Sequence, residues 1–149
     1  MNIYNSAMPI YIEVIDETKG IFSGAIAQGD CNYYDTTKQI VMKGKFKSNK
    51  LIGRDNILIE YTDTSFKYYH GVFLNNKPNG NMIVYDFVGN GDLLRDIISD
   101  ITVKKYNSIY ENGSLIEIIS EQDVTIRTKI MHKLIKPIEF MICFNVTEV

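Results

Sequence analysis

The chain is 149 residues long, the size of one ordinary domain, and 45% of its residues are hydrophobic and 23% charged. This composition excludes a disordered or collagen-like chain and indicates a packed core. The formal net charge of −2 argues against a nucleic-acid partner, because such proteins carry an excess of basic side chains. We therefore expect a single domain over residues 1–149 that does not bind nucleic acid.

Two observations bear on location. No run of about 18 apolar residues is present, so we expect no transmembrane segment. Residues 1–5 lack the basic start and apolar block of a secretory signal, which favours a cytoplasmic protein.

Frequent Ile, and Lys in excess over Arg, fit an AT-rich coding sequence such as that of some viruses and phages. A viral protein of this kind would lie in the host cytoplasm.

Short apolar runs at strand period, separated by Gly, Asn and Asp, dominate the chain. They predict strands over residues 9–15, 21–27, 39–47, 56–61, 66–74, 81–87, 102–110, 114–120, 124–130 and 138–146. The strongest turn signals are residues 75–80 and 111–113. The predicted fold class is all-β, an antiparallel, repeat-built β-meander in a single β-rich domain.

One stretch departs from the strand pattern. Apolar residues recur at helical spacing from Leu93 to Ile101, and Asp92 follows Gly91 as a suitable N-cap. The spacing predicts one short helix over residues 92–101.

Two segments, residues 43–53 and 70–80, share a pattern with a period of 27 residues. In each, Phe follows Gly by two residues, and a second Gly follows the first by nine. The residues that carry the pattern are Gly44, Phe46, Gly53, Gly71, Phe73 and Gly80. We expect structural roles for these six, because Gly permits close approach of neighbouring hairpins and the Phe rings can stack along one face.

Residues 69–80, Tyr-His-Gly-Val-Phe-Leu-Asn-Asn-Lys-Pro-Asn-Gly, resemble the MORN repeat, in which an aromatic residue and Gly precede a second aromatic residue, a polar turn and another strand. Two repeats are recognisable, over residues 42–61 and 69–87, and more degenerate hairpins extend the resemblance to about residues 20–90. The first repeat fits less well, because Val41 and Met42 replace its leading aromatic residue. The resemblance implies a scaffold or adaptor that binds another protein, with contact to anionic lipid as a further implication.

Tyrosines cluster around these repeats, and we select Tyr61, Tyr68, Tyr69 and Tyr85 as candidate partner-binding residues. If exposed, the four rings would form the aromatic, hydrogen-bonding surface typical of protein interfaces. If buried, they would belong to the core with their hydroxyls at its rim. Two interpretations are open for a basic run as well, a solvated edge strand or a contact with anionic lipid; the run consists of Lys43, Lys45, Lys47 and Lys50.

Residues suited to catalysis or metal binding are sparse. His70 and His132 are isolated, the two cysteines have no metal-ligand spacing, and no Gly-x-Ser-x-Gly motif is present. We therefore expect no enzymatic activity, no catalytic residue, no cofactor and no metal. An enzyme centred on His70 is the rival interpretation.

These patterns lead to a hypothesis of function: a non-enzymatic binding module that engages a protein partner, as a scaffold or adaptor, through a MORN-like β-sheet surface. Unpaired edge strands make a homo-oligomer a second expectation. The alternative is a small viral or phage accessory protein that binds a host factor or sequesters a small ligand.

Overall fold

The computed structural model describes residues 10–15, 21–23, 26–89, 97–136 and 139–149. This part of the chain forms eleven strands. They are β1 (Ile10–Val14), β2 (Ile21–Ser23), β3 (Gly29–Asp35), β4 (Ile40–Lys47), β5 (Lys50–Leu51), β6 (Asn56–Tyr61), β7 (Ser65–Leu74), β8 (Lys77–Val88), β9 (Ile97–Glu111), β10 (Ser114–Lys136) and β11 (Glu139–Glu148). Every strand pair is antiparallel, so the predicted all-β class is confirmed.

The strands form one sheet in the order β2-β1-β3-β4-β6-β7-β8-β9-β10-β11, and β5 pairs with the end of β4. From β6 to β11 each strand lies beside the next strand of the chain, which is the meander expected from the sequence. Two different strands pair with the same edge of β4. Phe46 and Lys47 pair with β5, whereas residues 40–43 pair with β6.

The predicted helix is wrong where the structure describes it. Residues 97–101 begin strand β9 and pair with residues 126–130 of β10, and no helix occurs in the described ranges. The guanidinium of Arg127 donates to both carboxylate oxygens of Asp100 across this pair, at 2.8 and 3.1 Å. Pairing along the long β10 strand outweighs the helical spacing of the isoleucines. Residues 92–96, the rest of the predicted helix, lie outside the described residues.

Two other differences concern strands. β3 occupies residues for which no strand was predicted, and β1 and β4 supply hydrogen-bonding neighbours on both of its edges. The predicted strands 114–120 and 124–130 are one strand, β10. Its polar middle, which resembles a turn in sequence, is held by cross-strand partners on β9, including a 2.8 Å ion pair between Lys104 and Asp123.

The 27-residue repeat corresponds to two hairpins with the same turn. Ser48 and Asn49 join β4 to β5 with φ of 48° and 68°, and Asn75 and Asn76 join β7 to β8 with φ of 52° and 63°. Two consecutive residues of positive φ are the signature of the turn that matches strand twist. The side-chain amide of Asn76 links the two hairpins. Its Oδ1 accepts a hydrogen bond from Leu51 N at 2.9 Å, and its Nδ2 donates to the main-chain oxygen of Asn49 at 2.8 Å.

Two hydrophobic clusters lie on opposite faces of the sheet. The first cluster includes Tyr61, Phe66, Tyr68, Val103, Ile126, Ile130 and Phe144. The second includes Met42, Phe46, Leu51, Leu58, Tyr69, Phe73, Met82 and Val84. Because adjacent residues of a strand point to opposite faces, the pair Tyr68 and Tyr69 contributes one ring to each cluster. Both phenylalanines of the repeat, Phe46 and Phe73, are buried in the second cluster.

The sheet curls around the first cluster and brings β11 close to β4. The Lys43 ammonium of β4 donates to the main-chain carbonyl of Phe144 and lies 3.3 Å from Asn145 Oδ1, both on β11. Phe144 is fully buried, with ring centroids 5.3 Å from Tyr61 and 5.6 Å from Phe66. The contact between β11 and β4 therefore covers the first cluster.

Candidate functional site

The four tyrosines selected from the sequence do not form one surface. Tyr61 and Tyr68 are buried in the first cluster, and half-buried Tyr85 packs against it, 5.7 Å from Tyr68 between ring centroids. Tyr69 is buried on the other face, in the second cluster. Burial raises the pKa of Tyr61 and of Tyr68 to about 12, with Asp35 adding to the effect at Tyr61. The four rings therefore lie in, or pack against, the two hydrophobic clusters. Partner binding by these four residues stays a prediction.

Tyr69 belongs to a polar cluster at the edge of the second hydrophobic cluster. Its hydroxyl donates to Glu60 Oε1 at 2.8 Å, and its ring makes an edge contact with Tyr110 at 5.8 Å. Burial, followed by the hydrogen bond to Glu60 and the Glu60 charge, raises the pKa of Tyr69. This pair lies in a cleft of about 500 Å³ whose rim carries Lys38 and Lys77.

A second, smaller cleft of about 200 Å³ adjoins the first at the Tyr69–Tyr110 ring contact. Its lining includes Val84, Tyr106, Tyr110, Leu115 and Ile118. The last two belong to the beginning of β10, so the β9–β10 hairpin forms one wall of this cleft. Together the two clefts make a groove along the face of the second cluster, which carries Tyr69, Tyr106 and Tyr110 as well as the charged Lys67 and Asp86, and we call it the aromatic groove.

The beginning of β10 is a free sheet edge. β10 pairs with β9 from Ser114 to Ile130, whereas β11 pairs only with residues 126–136, so residues 114–124 have one neighbouring strand within the described residues. This edge carries four apolar side chains, Leu115, Ile116, Ile118 and Ile119, each between 48% and 59% exposed. We call residues 114–124 the apolar edge. Unpaired main-chain groups beside exposed apolar side chains are typical of a surface that takes another chain.

Two register shifts arrange the side chains of the apolar edge. One falls between Leu115 and Glu117 and the other between Ile118 and Ser120, so Ile116 and Ile119 are extra residues opposite β9. Because of the first shift, Leu115 and Ile118 lie on the same face, opposite Tyr110 and Ser108. A regular strand would place them on opposite faces. The bulges thus direct two apolar side chains toward the aromatic groove.

The apolar edge is also acidic. Residues 111–126 contain four carboxylates, Glu111, Glu117, Glu121 and Asp123, and no Lys, Arg or His. Asp123 is paired with Lys104 of β9, at 2.8 Å. The other carboxylates extend from exposed residues along the same hairpin. The edge therefore favours a partner with positive charge.

His70 lines a separate cleft of about 450 Å³ on the face of the first cluster. Its Nε2 lies 3.8 Å from Asp55 Oδ1, and the Asp55 side chain is 93% exposed. Asn81 and Asn107 add amide groups to this cleft, and Ile119 of the apolar edge reaches its border. The arrangement is a solvated His–Asp pair beside hydrogen-bonding groups. No three His, Cys, Asp or Glu side chains come together as a metal-binding group in the part of the chain that the structure describes.

The edge-strand interpretation of the lysines is wrong, because β4 pairs with β3 on one side and with β5 and β6 on the other. Lys43 binds β11 through the contacts with Phe144 and Asn145, and Lys50 donates to Asn75 Oδ1 at 3.2 Å. Lys45 and Lys47 are exposed. Contact with anionic lipid stays a prediction.

Residues 114–120 of the apolar edge were predicted as a strand but were not selected as a site. Their signal is visible in the sequence: Leu115-Ile116 and Ile118-Ile119 place apolar residues next to each other, on both sides of Glu117. A strand with one solvated face would alternate instead. The exposure of both pairs depends on which described strands lie beside them, and the local pattern does not encode this.

No helix among the described residues has the length and apolarity to cross a membrane. Comparisons with protein-family models, with curated proteins and with solved structures find no match to this chain.

Proposed function

We propose that this chain is a non-enzymatic module that binds another protein, with the apolar edge of β10 as its binding surface. The observation that carries the proposal is the group of four exposed apolar side chains on a strand whose edge has no partner among the described residues. The resemblance to MORN repeats supports a role as a scaffold or adaptor.

The apolar edge can supply a useful binding free energy. Burying a Leu or Ile side chain completely stabilises a complex by about 1.5 to 3 kcal/mol. Leu115, Ile116, Ile118 and Ile119 are each about half exposed, so covering all four would contribute about 3 to 6 kcal/mol. Main-chain hydrogen bonds between the partner and the apolar edge would fix the register in which the partner pairs with β10.

The proposal is tested by affinity purification from native lysate with quantitative mass spectrometry. The test variant is Ile116→Ser/Ile119→Ser, and the control is Ile15→Ser/Val88→Ser, which removes two exposed apolar side chains elsewhere. We expect a protein that the wild type and the control enrich and that the test variant loses by at least about tenfold. Equal enrichment by all three would contradict the proposed surface.

A second candidate function is sequestration of a small ligand, favoured by the cleft of about 500 Å³ that holds Tyr69 and Glu60. This volume is within the range of about 300 to 1,000 Å³ found for small-molecule sites. Native mass spectrometry of the purified protein should then show an additional bound mass. A spectrum of the bare chain alone would contradict this candidate.

A further inference from the structure

We propose that the partner of the apolar edge is an extended, basic segment of another protein, which adds to the sheet as a strand beside β10. This inference rests on the proposed function and specifies the chemistry of the partner. Its basis is the direction of the main-chain groups, the charge of the edge and the position of the aromatic groove.

The direction of the main-chain groups follows from one hydrogen bond. The amide of Val149, just after β11, donates to Thr125 O at 3.0 Å, so Thr125 directs its main-chain groups away from β9. Alternate residues of a strand direct these groups to the same side. The register from Ser120 to Ile130 is continuous, so Glu121 and Asp123 also direct their N–H and C=O groups away from β9. No described strand lies on that side of them, and an added strand would find donors and acceptors in place.

The charge of the apolar edge favours a basic partner. Four carboxylates and no basic residue lie between residues 111 and 126. A second copy of this chain, paired edge to edge, would bring two such acidic segments together, and like charges on facing strands are destabilising. A segment with Lys or Arg at alternate positions would place its charges beside Glu117, on the face opposite to the groove.

The aromatic groove lies where it can contact the apolar residues of the partner. Glu121 lies opposite Tyr106 and Leu115 opposite Tyr110, so the groove follows the same strand as the free edge. Alternate residues of an added strand point to one face. The apolar side chains of the partner would therefore contact Leu115 and Ile118, which line the cleft with Val84. An alternating sequence would therefore place basic residues on the face of Glu117 and apolar residues on the face of Leu115 and Ile118.

The probes are two capped, fluorescently labelled synthetic peptides of nine residues, one alternating Lys with Val and the other alternating Glu with Val. Their length and strand propensity are matched, so they differ in charge. Fluorescence anisotropy should show that the Lys peptide binds at least about tenfold more tightly than the Glu peptide, with an affinity that falls as salt is added. Equal binding of the two peptides would overturn the charge argument.

Main-chain recognition is tested with Glu121→Pro, and Glu121→Ala is its matched control. Both variants lose the carboxylate, but only proline also removes the N–H that faces the free edge. We expect the proline variant to bind the Lys peptide at least about tenfold more weakly than the alanine variant. Equal affinities would overturn strand addition.

A third test uses the wild type, so its result does not depend on whether the Glu121→Pro variant folds. Hydrogen exchange should show that the amides of Glu121 and Asp123 become protected when the Lys peptide binds. Binding without protection at these two amides would overturn strand addition. Concentration-dependent dimers that Glu121→Pro abolishes would also overturn the proposal, in favour of a second copy of the chain.

The partner chemistry and the proposed function can fail separately. If neither peptide binds, but the lysate still yields a protein that depends on Ile116 and Ile119, the basic segment is wrong and the binding module stands. If the lysate experiment also shows no dependence on these residues, both are wrong.

Discussion

Gly71 shows how a single residue limits what this fold tolerates. Its φ is +159°, and a Cβ there would overlap the main-chain oxygen of Asn81 and contact the side chain of Met82. Gly44, its equivalent in the other hairpin, would overlap the Asn56 side chain in the same way. Glycine therefore allows β7 and β8 to approach closely at a bulged position, where the register shifts between Gly71 and Phe73.

We predict that Gly71→Ala lowers the free energy of unfolding by more than about 2 kcal/mol, because steric overlap adds to backbone strain. Gly53→Ala is the control, since Gly53 has a φ of +89° but open space around its Cβ position. It should show the cost of strain alone, about 1 to 2 kcal/mol. Urea denaturation measures both variants, and equal losses would contradict a steric role for Gly71.

Tyr68 carries a pH-dependent part of the stability. Its folded pKa of about 12 lies above the unfolded value near 10, so the stabilisation is complete below pH 10 and is lost as the pH rises toward 12. We predict that the wild type loses about 2 kcal/mol more than Tyr68→Phe between these pH values. Urea denaturation at several pH values gives the two curves. Parallel curves would show that the Tyr68 hydroxyl does not ionise differently on unfolding.

The hairpins are coupled to one another through asparagine side chains at their turns. Asn49 Oδ1 accepts from Ala27 N at 2.6 Å, and Asn76 Oδ1 accepts from Leu51 N at 2.9 Å. Asn79 Oδ1 accepts from Asn112 N, in the turn of the β9–β10 hairpin, at 3.0 Å. Each turn thus satisfies main-chain groups of a neighbour, and the series of hairpins is stabilised by contacts between successive units.

We predict that Asn76→Gly lowers the free energy of unfolding by about 1 to 3 kcal/mol, because two main-chain groups lose their partners. Asn75→Gly is the control: it removes one exposed hydrogen bond to Lys50 and keeps the same turn conformation. It should cost less than about 1 kcal/mol. Thermal denaturation compares the variants, and a larger loss for Asn75→Gly would contradict the coupling of hairpins through Asn76.

At the scale of the whole molecule, closure of the sheet depends on the contact between β4 and β11. Lys43 makes this contact through its ammonium group, and the aromatic rings of Tyr61, Phe66 and Phe144 pack beneath it. Lys43 lies 101 residues from Phe144, so the contact orders the molecule over most of its length.

We predict that Lys43→Met lowers the free energy of unfolding by about 1 to 3 kcal/mol, since the carbonyl of Phe144 loses a charged donor. Lys45→Met, on the same strand but exposed, should change it by less than about 0.5 kcal/mol. Hydrogen exchange should also become faster in β11 of the Lys43 variant. Unchanged exchange there would mean that the Lys43 contact does not hold β11 in place.

The local pattern predicted those elements whose turns and alternation are encoded nearby. The hairpin at Asn75 and Asn76 and the strands on either side follow from turn chemistry and side-chain period. The helix at residues 97–101 was wrong, because its isoleucines pair with a strand located about 30 residues further along the chain. The candidate tyrosines show the same limit, since alternation places Tyr68 and Tyr69 on opposite faces but does not reveal that both faces are covered.

By itself, the sequence determined the all-β class, the meander order and the equivalence of two hairpins, because these depend on residues a few positions apart. The tertiary structure alone decided that the sheet curls so that β11 meets β4, that both faces bear hydrophobic clusters and that the described part of β11 pairs only with residues 126–136 of β10. The exposed edge from Ser114 to Val124 lies where β9 is the only described strand beside β10. Strand exposure depends on which distant segment lies alongside, and hydrophobic burial over the whole chain decides that pairing.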